Sequence, residues 1–233
     1  MDDPTVELLD TAQRRAFSLL AALAERAEPG MGSRDLLAAA DELLAPWGFD
    51  RWASPPAVCL GRAARWPGSH GRVRLVTGDT LTLRLEPAAG DLRAHVGASL
   101  IVGAPPTALV AAARDCTRAL CGYASSLKCV GELFIYARTW ALTHGFELAD
   151  KGHIGRALPQ PGGLAVRLRS AGWLRRNQVH VLNPRRLTGP WVIGPTLVEG
   201  ATTASFHEVV LVRPGLRRVL GRDGVEQVGT LLG

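Results

Sequence analysis

The sequence predicts one α+β domain spanning residues 1–233, in which two helices precede a set of strands, twice over. Apolar residues first recur at three- and four-residue spacing, then alternate as in strands, and then repeat both patterns. No Pro-, Gly- or Ser-rich linker divides the chain. A chain of 233 residues with 47% hydrophobic content is long enough to form one packed core.

The first half predicts two helices followed by four strands. The first helix, over 6–28, ends before the Gly30-Met31-Gly32 break, and Ser33 is predicted to cap a second helix over 34–44. Alternating apolar residues and glycine-containing turns then predict strands over 57–60, 73–76, 81–85 and 94–102.

The second half repeats this order. A long helix is predicted from Pro105-Pro106 to Tyr123, and another over 130–144, which Gly145 closes. Strands follow over 165–168, 178–182, 191–193 and 208–212.

Composition and charge exclude several classes of protein. The net charge is +6, but the basic residues are scattered and almost all arginine, and no aromatic pair lies among them as a base-stacking platform would, so we do not expect a nucleic-acid partner. No apolar run reaches the ~18–20 residues that a membrane span needs. The acidic N-terminus lacks a signal-peptide pattern, which predicts a cytoplasmic protein. The four cysteines match neither redox nor zinc spacing, and we expect buried free thiols.

The segment 78–103, GDTLTLRLEPAAGDLRAHVGASLIVG, resembles a strand pair of the pita-bread family, which includes methionine aminopeptidase, aminopeptidase P, prolidase and creatinase. In that family the patterns GD-x-v-x-i-D-l-G and G-y-x-x-D-x-x-R-T-f-x-v-G each carry a metal-binding aspartate. Here Arg84 and His95 stand at the aspartate positions. The resemblance implies a curved antiparallel sheet flanked by two pairs of helices.

Three further segments resemble family motifs. In GHIGRALPQ, His153 matches a metal-type histidine and Gln160 a substrate-contacting one, although an alternative register puts Gly152 at the ligand position. The strands QVHVLNPRR and FHEVVLV put Asn183 and His207 where the family has bridging glutamates; a shift of one residue would instead put Glu208 there. By a looser match, Trp66 stands for a substrate-contacting histidine.

These replacements argue against a dinuclear metal centre, because two divalent ions need anionic ligands and Arg84 adds a positive charge. We therefore predict no metal or other cofactor. The resulting hypothesis is a metal-independent enzyme that transfers protons on a small anionic or zwitterionic substrate, in bacterial specialised metabolism. The reaction would be C–N hydrolysis, elimination, isomerisation or cyclisation, and creatinase is a metal-free precedent by resemblance. The candidate catalytic residues are His95, His207 and His153, and the candidate substrate-binding residues are Arg84, Asn183, Gln160 and Trp66.

Two other functions remain open. The chain could be a non-catalytic pseudo-peptidase that binds a peptide or a macromolecular partner. Alternatively, the three histidines could hold one metal ion in a mononuclear hydrolase. The apolar helix over 6–23 could pair two copies in a homodimer, or it could pack on the sheet of its own domain.

Overall fold

The computed structural model describes residues 3–60, 73–149, 154–158, 179 and 183–222. Within these ranges, two helices followed by strands occur twice, which confirms the predicted pseudo-repeat. The first half contains, in order, α1 (Asp3–Glu25), α2 (Ser33–Leu44), β1 (Arg51–Leu60), β2 (Thr80–Ala89), β3 (Leu92–Arg93) and β4 (Val96–Ile101). The second half contains, in order, α3 (Ala108–Tyr123), α4 (Val130–Thr143), β5 (Glu147–Leu148), β6 (Gly155–Ala157), β7 (Gly189–Ile193), β8 (Thr196–Glu199), β9 (Thr202–Arg213) and β10 (Leu216–Leu220).

All ten described strands belong to one curled antiparallel sheet, as predicted. Its main path runs β1-β2-β4-β9-β7-β6, and β3, β8 and β10 pair with strands of this path, while β5 pairs with β8. The two halves meet where β4 pairs with β9, through Gly97 opposite His207 and Ala98 opposite Phe206. Just beyond, the Ser99 hydroxyl accepts a hydrogen bond from the Ser205 amide at 2.9 Å, and β9 continues against β8.

Side chains of the central strands alternate between two environments. On β2, Leu81, Leu83 and Leu85 are buried in the core that α1 and α2 form with the sheet. The intervening residues, Thr82, Arg84 and Glu86, therefore point to the opposite face, because successive side chains of a strand alternate. A second core packs α3 and α4 on β7, β8 and β9. On the opposite face, polar residues of β2 lie in the middle of the sheet, whereas Val209 and Leu211 of β9 pack with Val6 and Leu9 of α1.

Helix α1 packs on the sheet of its own domain. Its fully buried residues include Ala16, Phe17, Leu20 and Leu23. The ring of Phe17 stacks on that of Phe206 in β9, with 6.3 Å between centroids. Among the described helices, none is long and apolar enough to cross a membrane.

Two local predictions are wrong. The N-cap of α2 is Gly32 rather than Ser33: the Asp35 carboxylate accepts a hydrogen bond from the Gly32 amide at 2.7 Å, and Ser33 is the first helical residue. The segment 73–76 is not a sheet strand. It pairs instead with the loop between α1 and α2, where Leu75 donates to the Met31 carbonyl and accepts from the Gly30 amide. The predicted strand over 165–168, and all of the one over 178–182 except residue 179, lie outside the described residues.

Replacing Phe17 with alanine is expected to lower the free energy of unfolding by about 3–5 kcal/mol, because it removes a fully buried ring from the contact between α1 and β9. Urea unfolding of Phe17→Ala measures this. Leu8→Ala is the matched control on the same helix: Leu8 is 57% exposed, and its truncation should change stability by no more than about 0.5 kcal/mol. Equal losses in the two variants would contradict this packing.

Candidate active site

The polar face of the sheet brings three of the predicted site residues into one row. Arg84 on β2 lies opposite Gly97 on β4, and Gly97 lies opposite His207 on β9. Directly opposed residues of an antiparallel pair share a face, so Arg84 and His207 project from the same side. His95 immediately precedes β4 and reaches the same place.

The two histidines form a buried, hydrogen-bonded pair. Nε2 of His95 lies 2.9 Å from Nδ1 of His207, and the ring planes are inclined by 26°. The residues are only 5% and 7% exposed, respectively.

Two glycines make room for the His207 ring. A β-carbon at position 194 would lie 2.5 Å from Cγ of His207, closer than packed atoms allow. A β-carbon on Gly97 would lie 3.1 Å from the His207 ring and equally close to Cγ of Arg84. The imidazole of His207 therefore packs directly against the main chain at Gly97 and at Gly194.

Glu86 extends the histidine pair to a third group. Its Oε1 lies 3.3 Å from Nδ1 of His95, which is ion-pair distance without hydrogen-bond geometry, and 2.5 Å from Nη2 of Arg156 on β6. The Ser54 hydroxyl donates to Oε2 at 3.0 Å. Burial alone would raise the pKa of Glu86, but His95 and Arg156 outweigh it and lower that pKa to about 2. Glu86 is therefore a carboxylate at neutral pH.

Both histidines are held neutral. Burial lowers the pKa of His207 well below its usual range, and neighbouring His95, Arg84 and Arg156 lower it further. Burial also lowers the pKa of His95, and Glu86 only partly offsets this.

The charge of Glu86 favours one pair of tautomers. The carboxylate, 3.3 Å from Nδ1 of His95, stabilises a proton on that nitrogen, and Nε2 of His95 then accepts from Nδ1–H of His207. This leaves Nε2 of His207 as a proton acceptor, buried and without a hydrogen-bond partner among the described residues.

Gln13 binds the main chain of His95 through two hydrogen bonds. Its side-chain amide donates to the His95 carbonyl at 2.6 Å, and its Oε1 accepts from the His95 amide at 3.1 Å. Gln13 lies on α1 and is fully buried. The position of His95 is thus tied to the first helix.

Arg84 is a cation whose buried Nε has no acceptor among the described residues. Nearby on the same face, Cys59 of β1 lies opposite Thr82. Burial raises the pKa of the Cys59 thiol, and Arg84 offsets this in part. The buried Ser205 hydroxyl, two residues before His207, is a further polar group without a described partner.

The other predicted residues divide into two groups. Asn183 is buried, and its contacts lie beside α4: its Oδ1 accepts from the Arg185 amide and its carbonyl accepts from the Gly131 amide. His153, Gln160 and Trp66 lie outside the described residues.

Glu208, the residue that the alternative register of β9 puts at the ligand position, lies away from the histidine pair. Glu208 points to the helix-covered face, where the Cys121 thiol hydrogen-bonds to it and burial raises the pKa of its carboxyl group. The predicted free thiols are confirmed, with three cysteines buried and Cys129 half-buried.

Comparison with known proteins gives the family. The sequence model of metallopeptidase family M24 matches residues 7–213. The chain belongs to this family. No curated protein matches the M24 chain in sequence.

Solved M24-like structures share its fold. Prolidase from Pyrococcus furiosus superposes with a TM-score of 0.77 at 14% identity, over 94% of this chain and 64% of its own. X-Pro aminopeptidase from Thermotoga maritima gives 0.76 at 13% identity, over 95% and 62%. Dipeptidase PepE from Mycobacterium ulcerans gives 0.75 at 16% identity, over 94% and 58%. The M24 chain thus spans less than two thirds of the length of these proteins.

The described part of the site does not fit a metal ion. In those ranges, no three His, Cys, Asp or Glu side chains converge as a metal site requires. The facing nitrogens of His95 and His207 are 2.9 Å apart, within hydrogen-bond distance of each other. Arg84 and Arg156 would also repel a cation.

The histidine pair should make stability depend on pH. A pKa that is lower in the folded than in the unfolded state means that unfolding takes up protons once the pH falls below about 6.5, the usual value for histidine. Between pH 7.5 and 5.5, His207 alone should therefore cost the folded state about 1 kcal/mol. Urea unfolding measures this at both pH values. The loss of unfolding free energy from pH 7.5 to 5.5 should be smaller in His207→Gln than in the wild type, and the difference is the contribution of His207.

His144→Gln is the control, because His144 is exposed on the surface. His144→Gln should lose as much stability between pH 7.5 and 5.5 as the wild type does. Glu86 does not interfere, because its stabilising contribution is lost only as the pH falls from about 4.5 towards 2. An unchanged pH dependence in His207→Gln would contradict a neutral buried His207.

Proposed function

We propose that this M24 chain is a metal-independent enzyme that transfers a proton on a small anionic or zwitterionic substrate. One observation carries the proposal: Glu86, His95 and His207 form a chain of contacts that ends in Nε2 of His207, which has no hydrogen-bond partner among the described residues, and the His207 ring lies beside Arg84. A base with a free lone pair next to an uncompensated cation suits an anionic substrate that must lose or exchange a proton.

In the proposed mechanism, Nε2 of His207 accepts the substrate proton. The imidazolium that forms keeps its Nδ1–H bond to His95, whose own N–H faces the Glu86 carboxylate, so the new positive charge lies near a fixed negative one. Arg84 binds the substrate anion. General acid–base catalysis of this kind contributes about 10²–10⁴-fold to a rate.

The proposal that no metal takes part rests on the chemistry of the donors. By resemblance to the family motif, Arg84 and His95 occupy aspartate positions, and a guanidinium cannot bind a cation. Two dications held close together require several anionic ligands. We propose that Arg84 supplies positive charge to the substrate in place of a metal ion.

The names of the structural neighbours suggest a class of substrate for this chain. The structural neighbours are named as a prolidase, an X-Pro aminopeptidase and a dipeptidase. We propose for this chain a substrate of similar small size containing a C–N bond, with hydrolysis, elimination, isomerisation or cyclisation as the reaction. His153, Asn183, Gln160 and Trp66 remain proposed contributors to the same site.

The test is turnover by chelator-treated protein on a panel of small anionic and zwitterionic compounds. For any compound that is converted, His207→Gln is expected to lower kcat by at least about 10²-fold, because the accepting nitrogen is lost. His144→Gln, which alters an exposed histidine, should retain the wild-type rate, and circular dichroism should show both variants folded. Turnover that requires added zinc or iron, or that survives in His207→Gln, would contradict the proposal.

We expect Glu86 to support turnover through its contact with His95. Glu86→Gln keeps the size of the side chain but removes the charge that faces Nδ1 of His95, so the imidazolium of the pair loses its counter-charge. We expect kcat to fall by at least about tenfold. Steady-state kinetics measure this against Glu42→Gln, which removes an exposed carboxylate paired with Arg26 on the surface. Equal rates in the two variants would contradict a role for Glu86.

A further inference from the structure

In the part of the chain that the structure describes, the charges around the histidine pair leave one positive charge without a counter-ion. Among the described residues, the ionised groups there are Arg84, Arg156 and Glu86. Glu86 and Arg156 form an ion pair with each other. Both histidines are neutral, and burial keeps Cys59 a thiol. Arg84 is therefore the surplus cation of the site.

Arg84 and the free nitrogen of His207 lie on the same side of β4. Cγ of Arg84 and Cδ2 of His207 each lie 3.1 Å from the point that a β-carbon on Gly97 would occupy, so the two side chains meet above this glycine. The aliphatic stem of Arg84 thus lies beside the Cγ–Cδ2 edge of the ring, and Cδ2 is bonded to Nε2. The Arg84 charge is near enough to lower the pKa of His207, so an anion paired with the guanidinium acts on this ring as well.

We propose that the Arg84 guanidinium holds one small monoanion of the carboxylate type on the polar face of the sheet that Arg84 shares with His207. The inference deepens the proposed function and rests on it, because it names the charged group of the same substrate. A carboxylate neutralises the single surplus charge, and its two oxygens match the fork of a guanidinium. A dianion such as sulfate leaves a net negative charge in a largely buried region, which is costly.

The unpartnered polar atoms of the site support an oxyanion as the ligand. Nε of Arg84 is a buried donor that no described residue satisfies, and the Ser205 hydroxyl on the same face is a second one. Buried donors without an acceptor are rare in folded proteins.

The test uses three probes that differ in charge: formate, its neutral analogue formamide, and sulfate. Each is titrated into the wild-type protein at pH 7.5 and low ionic strength, and binding is followed by NMR of the histidine ring nitrogens. We expect saturable shifts of the His95 and His207 signals with formate, at least about tenfold weaker binding of sulfate, and no saturable response to formamide. Sulfate that binds as tightly as formate would overturn the monoanion assignment.

Variants assign the site to Arg84. Arg84→Gln should weaken formate binding at least about tenfold, whereas Arg51→Gln, at an exposed arginine on β1, should bind formate like the wild type. If Arg84→Gln does not fold, Arg84→Lys keeps the charge but loses the fork, and weaker formate binding is expected there too. Formate binding that is unchanged in the folded Arg84 variant would overturn the inference.

The inference and the proposed function can fail separately. If formate binds through Arg84 but His207→Gln leaves turnover intact, the anion site stands and the role of His207 as the base is wrong. If turnover depends on His207 while formate perturbs neither ring, the monoanion site is wrong and the base assignment stands.

Discussion

The pairing of β4 with β9 is the constraint on which the rest of the structure depends. Gly97 opposite His207 and Ala98 opposite Phe206 join the two helix-and-strand halves of the chain. On one face, this register sets His207 beside Arg84. On the other face, the same register packs the ring of Phe206 against Phe17 of α1. The Phe206 carbonyl also accepts a hydrogen bond from the Thr117 hydroxyl of α3 at 2.7 Å. A slip of one residue would exchange the two faces and destroy both cores and the site together.

The electrostatics of the site follow from placing ionisable groups where water is largely excluded. Burial disfavours every charged form, so charges persist there only when a partner offsets the cost. Glu86 stays ionised because Arg156 and His95 lie against it. Within the described ranges, the groups that act on His207 are Arg84, Arg156 and the ring of His95, and His207 stays uncharged. One set of contacts thus keeps an acid ionised and a base unprotonated.

Much of the fold could be predicted from the sequence because periodicity and glycine positions report local structure. Motifs on continuous strands identify Arg84 and His207. They do not identify Glu86, although a residue two places after Arg84 must share its face of a strand. The segment 73–76 has a strand-like composition, but its partner is the loop at Met31, and no local pattern reveals that partner.

Other parts of the site could not be predicted, because they depend on the tertiary arrangement. Gln13 and His95 are separated by 82 positions, and nothing near Gln13 in the sequence indicates that its amide binds a distant main chain. Arg156 belongs to a strand of three residues, too short for its face to be assigned from alternation. Gln13 is placed by the packing of α1 on the sheet, and Arg156 by the pairing of β6 with β7.

The close fit of the His207 ring between Gly97 and Gly194 has an evolutionary consequence. With 2.5 Å between Cγ of the ring and the point where a β-carbon on Gly194 would stand, imidazole and side chain exclude one another. A residue other than glycine can therefore occupy position 194 only in homologues that lack histidine at position 207. We expect the two positions to co-vary across homologues, so that glycine at 194 accompanies the histidine base.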